Sequence, residues 1–305
     1  MRGRLGLAAL AVAASSVQAD APASAPVGTI RWVAQNMPPH FSFVGGQPPR
    51  SAAELGRGEL DGFLRVLLAR LPQYRHEFVE VGTARFEKLS RAGETLCSTM
   101  HVRTPQRLEW LHFSHMFPPR GPREIQVVLR RDMLERVVPL RSDDAPLRLA
   151  DLLAEPSLRP LLAKERAFGP QIDRLLALHP VPRLAVGAHL SLQLLGMLRA
   201  GRMDYTLEYG PVVTEYLQRV GDAGALVVLP VAEGYNTELA TVACSRNSQG
   251  RRHLEAIDAA VRALAREPDR ETWVREWRGD RSTPQEMKRL NAYMDERARG
   301  GPRIE

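Results

Sequence analysis

The turn Thr104-Pro105-Gln106-Arg107 is where this sequence holds a charged side chain in a manner suited to chemistry. Proline presets one backbone angle and pushes the residue before it out of the helical region, so Arg107 leaves the turn from a fixed backbone position. A guanidinium held this way is a planar fork of donors that fits a carboxylate or a phosphate. Arg107 is therefore read as an anion-binding residue with Thr104 beside it; a surface or interlobe salt-bridge arginine is the other reading. Three histidines lie close by, at His101, His112 and His115. On an extended segment their spacing does not bring two imidazoles together as a helix would, and no carboxylate motif completes a metal set. Ser114 stands between His112 and His115, but a catalytic triad is defined in space rather than along the chain. The sequence contains no G-x-S-x-G, P-loop or H-E-x-x-H motif. Gly56 and Gly58 share two glycines with a dinucleotide loop, yet Asp61 stands where the third belongs and no strand leads in. The expectation is a binding protein, not an enzyme, with no cofactor and no metal.

The elements that must position Arg107 are legible around it. Alternation over residues 29–34 reads as a strand, and 36–41 as a rigid loop with two prolines. Leu60, Phe63, Leu64, Leu67, Leu68 and Leu71 repeat at helical spacing and mark one buried face. A second strand is expected over 76–81 and a second helix over 84–92, ended by Gly93, with a short strand through Cys97. That order, βαβαβ, is the grammar of a parallel α/β sheet. After the proline-rich stretch 118–122 the chain restarts with a strand over 125–129 and a helix from about 147. Phe168-Gly169-Pro170 reads as a loop opening another helix, whose free backbone N–H groups suit an anion. The segment 197–207 repeats the pattern of 89–99: amphipathic helix, Arg-Ala-Gly stop, short strand. Two such copies imply two lobes of similar build. A strand over 225–231, a polar connector over 233–237, a returning strand over 239–244, helices over 252–266 and 270–278, and a last segment from 284 to about 298 complete the chain. The expected division is lobe 1 over 28–119 and 236–298, lobe 2 over 120–235, and a flexible tail over 299–305.

The totals suit two medium domains: 305 residues, 44% hydrophobic and 25% charged. Arg2 and Arg4 precede a short apolar run, Leu5 to Ala14, and Val17-Gln18-Ala19 forms an A-x-A-like cleavage site. Residues 1–19 therefore read as a signal peptide cleaved after Ala19, followed by a flexible leader over 20–27; the run is too short to span a bilayer. Without Arg2 and Arg4 the net charge falls from +7 to +5, with bases and acids interleaved. Such a surface lacks the clustered basic and aromatic residues of a nucleic-acid reader. An exported monomer in the periplasm is expected. There, Cys97 and Cys244 would meet oxidising conditions. A disulfide between them would contribute about 2–4 kcal/mol and place both residues in one lobe; two buried free thiols are the alternative.

The stretch Thr104, Arg107, Phe113, Ser114 and Phe117-Pro118 resembles the "T-x-x-R … F-S-x-P-Y" element of the type II periplasmic solute-binding proteins, extracellular solute-binding family 3. Gly201, Arg202 and Asp204 resemble that family's "G-R-x-D-A" element, and Pro39 with Phe41 stands near its "P-F" loop. The resemblance implies two α/β lobes, each a mixed sheet flanked by helices, joined by two hinge crossings. It further implies a small solute captured by hinge closure, with Arg107 on its carboxylate, and a permease or a sensor kinase as partner. Phe41 would cover the ligand, or serve as a core aromatic; Phe168 is a further candidate contact. The family's ammonium-binding aspartate falls at Tyr209 here, beside Glu208, and strand alternation turns only one of the two into the cleft. An ordinary α-amino acid ligand is thereby put in doubt. A dehydratase-like enzyme on the same fold, a sensing or partner-binding module, and a cleft that binds nothing remain as alternatives.

Overall fold

The computed structural model describes residues 25–119, 123–141, 145–164, 166–185, 190–236, 238–279 and 282–305. The expected signal peptide, most of the leader, part of the first crossing and Thr237 in the second lie outside the described residues. Five strands build the first sheet: β1 (Gly28–Ala34), β2 (Tyr74–Glu80), β3 (Cys97–Ser98), β4 (Leu111–Phe117) and a late strand, Ala240–Ser245. Their order across the sheet is β2, β1, β3, the late strand, β4. β2 and β3 both run parallel to β1, which requires crossovers. α1 (Glu59–Leu68) and α2 (Thr83–Arg91) supply them. The late strand is antiparallel to both β3 and β4, so the chain comes back into the first sheet from elsewhere.

The excursion forms the second lobe. It contains β5 (Arg123–Arg130), α3 (Leu134–Val137), α4 (Leu149–Ala154), β6 (Leu162–Ala163) and α5 (Pro170–Leu178). β7 (Arg183–Leu184), α6 (Leu190–Arg199), β8 (Tyr205–Tyr209), α7 (Gly210–Val220) and β9 (Leu226–Asn236) complete it. β6 is parallel to β7 and bridges in parallel to Tyr205 of β8 through Pro160, while β8 and β9 flank β5 antiparallel. This is the topology of the first sheet again, with β5 in the place of the late strand, β10. The two lobes are alike in build, as the repeated Arg-Ala-Gly pattern implies. Gly93 and Gly201, the glycines of the two copies, both take positive φ (93° and 72°), which a side chain would resist.

The remaining helices, α8 (Ser248–Arg266), α9 (Arg270–Arg278) and α10 (Pro284–Arg299), pack on the first sheet. Trp277 of α9 meets Phe117 (ring centroids 4.5 Å) and Phe63 (4.9 Å) in the core of lobe 1. Gly62 on α1 lies against the Trp277 carbonyl, where a Cβ would collide. Cys97 and Cys244 are directly opposite each other on β3 and β10 and are joined in a disulfide. The bridge ties the two parts of lobe 1 across 147 residues.

Three expectations need correction. Residues 233–236 are not a free connector: β9 continues to Asn236, which pairs with Arg123 of β5. The two crossings thus run side by side as a hydrogen-bonded ribbon. Nor is 299–305 a loose tail. Phe113 exchanges two backbone hydrogen bonds with Glu305 (3.1 and 3.0 Å), covering the edge of β4. Buried Asp258 holds this segment by accepting from Arg297 Nη2 (2.6 Å), Ser114 Oγ (2.7 Å) and the Arg303 backbone. Val27 also departs from the flexible leader, since its N–H donates to Gln73.

Candidate functional site

Two cavities, of about 400 and about 890 Å³, lie between the lobes and share Val102. Both are built on the loop after β3, which carries Thr99 through Arg107. The smaller one is mainly apolar. Lobe 1 gives it Met37, His40, Met100 and Phe117, and lobe 2 gives it Gln126 and Tyr209. The larger is rich in cations: Arg103, Arg107, Lys164, Arg166, Arg174 and Arg183 line it with the acids Glu87, Asp173 and Glu238.

Arg107 reaches the larger cavity from lobe 1. Thr104 Oγ accepts its backbone N–H (3.2 Å) and the Thr104 carbonyl accepts from Leu108 (3.1 Å), so the turn is closed as the Thr-Pro pair requires. Its Nη1 donates to the Val102 carbonyl (2.9 Å). Burial lowers the Arg107 pKa to about 10, opposed by the charges of Asp173 and Glu87. It remains a cation at neutral pH. Asp173 comes from lobe 2, in the first turn of α5, so opposite charges face each other across the groove. Burial raises the Asp173 pKa, while the Phe168 and Gly169 N–H groups and Arg107 lower it.

Glu208 and Tyr209 part company at the end of β8. Tyr209 lines the smaller cavity and meets His40 of lobe 1 edge-to-face at 5.7 Å. Glu208 points the other way into lobe 2, with both oxygens on the Arg166 guanidinium (2.5 and 2.6 Å) and a third bond from Ser191 Oγ (2.5 Å). Burial pushes the Glu208 pKa up, but the charge and hydrogen bonds of Arg166 and the Ser191 bond outweigh it, and the net shift is downward. Arg166 also sits over the rings of Phe168 (5.1 Å) and Tyr209 (5.6 Å). Glu208 is thus a partner of Arg166 rather than a cleft acid.

Phe41 and Phe168 are both buried in their lobes' cores, and neither lines a cavity. The cause at Phe41 is the turn Met37–Phe41, closed by the bonds between Met37 and Phe41. That turn sends Phe41 inward and brings His40 to the cleft. Asp204 is structural, as expected, accepting from the Arg159 backbone (2.8 Å) and side chain. Sequence reading missed His40, Gln126 and Arg166, and weighed His101 only as a metal ligand. Their only signal was position in loops and strand ends that turn out to face the groove.

His101 lines the smaller cavity, nearly fully buried. Burial, reinforced by the Arg107 charge, holds its pKa well below the usual value, so it is neutral. Its Nδ1 is 2.7 Å from Ser98 Oγ, which also accepts from the Met100 N–H (3.2 Å). Among the described residues the Ser98 hydroxyl has no other acceptor for its proton, so donation to Nδ1 satisfies it and assigns the ring proton to Nε2.

No protein-family model and no curated protein matches the chain. Solved structures do. An ancestral arginine-binding protein bound to glutamine aligns at TM-score 0.57 and 15% identity, over 83% of this chain and 98% of that one. The substrate-binding protein of an amino acid ABC transporter aligns at 0.55 and 16%, over 82% and 98%. The periplasmic VFT2 domain of Bordetella pertussis BvgS aligns at 0.52 and 18%, over 82% and 93%. At such identities the likeness establishes the fold: two α/β lobes with the architecture of the type II periplasmic solute-binding proteins.

Proposed function

We propose that this chain is a periplasmic solute-binding protein that captures a small carboxylate-bearing solute between its lobes and closes on it. The observation that carries the reading is Arg107, a buried guanidinium of lobe 1 that lines the interlobe groove opposite the first turn of α5. Solute-binding neighbours of the same fold support it, as does the paired ribbon of β5 and β9, which lets the lobes bend without breaking either sheet. A ligand favours the closed state only through contacts it makes with lobe 2 beyond those with lobe 1. A charge-assisted bond from Arg107 would contribute roughly 1.5–3 kcal/mol. Delivery to a membrane permease is the role this supports, with a sensor kinase as the alternative recipient. Calorimetry of the mature chain with carboxylate solutes tests the reading. Arg107→Ala is expected to weaken binding at least tenfold, and unchanged affinity would remove Arg107 from the site.

A further inference from the structure

We infer that the solute is an organic acid with an apolar body and no α-ammonium group, its carboxylate received jointly by Arg107 and the Nε2–H of His101. This rests on the solute-binding reading and narrows its ligand class. Three observations lead to it.

The first is an orphaned donor. His101 Nε2 has no hydrogen-bond partner among the described residues, although the atom is fully buried and the ring lines the smaller cavity. A buried N–H left unpaired is costly, and an acceptor supplied by a ligand removes that cost. Arg107 Nη1 donates to the carbonyl of Val102, the residue next to His101 (2.9 Å), so the two side chains are neighbours. His101 lines the smaller cavity and Arg107 the larger, and Val102 lines both. One carboxylate placed there meets a cation and a neutral donor together.

The second is the shortage, among the described residues, of an unengaged acid for an ammonium. Glu208 is locked to Arg166 and Ser191. Glu59 is engaged by Arg278 (2.8 Å) and Glu87 by Arg91 (2.9 Å). Asp173 accepts the Phe168 N–H (3.0 Å) and faces Arg107. Glu124 and Glu238 are exposed, where solvent screens their charge. Among the described residues, an ammonium brought into the groove would have to share an acid already engaged or use an exposed one.

The third is the chamber beyond His101. Met37, Met100, Phe117 and Tyr209 give it apolar walls suited to an alkyl or aryl body rather than a charged tail.

Matched pairs of probes test the inference: hexanoate against norleucine, and 3-phenylpropionate against phenylalanine, titrated calorimetrically into the mature chain. The acid of at least one pair is expected to bind at least tenfold tighter than its amino counterpart. His101→Phe keeps the edge-to-face contact with Phe86 (4.8 Å) and removes the donor. It should weaken the acid about tenfold, while His101→Gln, which restores an N–H, should recover part of that loss. Amino acids binding as tightly as the acids, or a silent His101→Phe in a folded protein, would overturn the inference while leaving the solute-binding reading intact. Failure of every acid and amino acid to bind, together with a silent Arg107→Ala, would instead sink both.

Discussion

Replacing Glu208 separates the two roles available to it, ligand acid and internal counterion. The Arg166 side chain is 9% exposed and that of Glu208 3%, and four short bonds satisfy the carboxylate: two from Arg166, one from Ser191 and one from the Tyr209 N–H (2.8 Å). Removing one member of such a pair strands a desolvated charge and costs about 3–5 kcal/mol. Glu208→Gln keeps an acceptor for Arg166 and belongs at the low end; Glu208→Leu belongs at the high end. Unfolding temperatures of domains of this size fall about 2–4 °C per kcal/mol, so calorimetric scans should show losses of roughly 6–20 °C. Arg166→Met with Glu208→Leu removes both charges at once and should recover most of the loss, because the apolar pair suits the rings of Phe168 and Tyr209. The pH dependence has a fixed sign. A carboxylate whose folded pKa is depressed stabilises above its unfolded value of 4.5 and loses that stabilisation as pH falls through the folded one. The wild-type advantage over Glu208→Gln should therefore shrink below about pH 4.5. A double variant that loses as much as the sum of the singles would refute the counterion account, and so would singles within about 1 kcal/mol of wild type.

Two further outcomes follow from buried groups in lobe 1. Asp61 caps α1, its Oδ2 accepting from Ser42 (2.8 Å) and Gly58 (3.0 Å), yet burial raises its pKa from 3.8 to about 6 against those bonds. A raised carboxylate pKa favours folding below the unfolded value, and that benefit fades as pH rises to about 6. Asp61→Asn keeps an acceptor without the charge, so chemical denaturation should find it more stable above pH 6, by up to about 3 kcal/mol, and level with wild type near pH 4. No gain at pH 7 would count against desolvation as the cause. The Cys97–Cys244 disulfide closes a span of 147 residues, worth up to about 5 kcal/mol as chain entropy. Reduction, or the double change Cys97→Ala and Cys244→Ala, should lower the guanidinium midpoint clearly; an unchanged midpoint would show that the hydrogen bonds between β3, β10 and β4 suffice.

Periodicity carried much of the fold because sheets and helices bury one face at a fixed repeat. The βαβαβ order before Cys97 and the matched stops at Gly93 and Gly201 were legible for that reason. The limits lie where the decisive partner is distant in sequence. Residues 233–236 are polar enough to read as a connector, but β5 pairs with them from more than a hundred positions away. The start of α8 was likewise hidden: the sequence reading begins the helix at 252, whereas Asn247 caps it by accepting the Gly250 N–H (2.7 Å). The site follows the same rule. Strand alternation showed that only one of Glu208 and Tyr209 could face the groove, and only Arg166, on a loop some forty residues earlier, decided which. Phe41 and His40 are neighbours whose destinations were set by a closed turn rather than by polarity.

The placement of charge bears on how closure is gated. Arg107 is not an isolated cation awaiting a solute, because the Asp173 charge already acts on it from the other lobe. An incoming carboxylate meets a guanidinium already under the Asp173 charge, so its net gain there is less than that of pairing with an isolated cation. For an organic acid, His101 adds a donor on the lobe 1 side and the apolar chamber adds contact with Tyr209 on the lobe 2 side. Contacts to lobe 2 made by the solute's body, rather than by its charge, are then what favour closure. Affinity should accordingly rise with the length of the alkyl chain until the smaller cavity is filled, and fall beyond it. A series from acetate to octanoate with flat affinity would show that the chamber takes no part in binding.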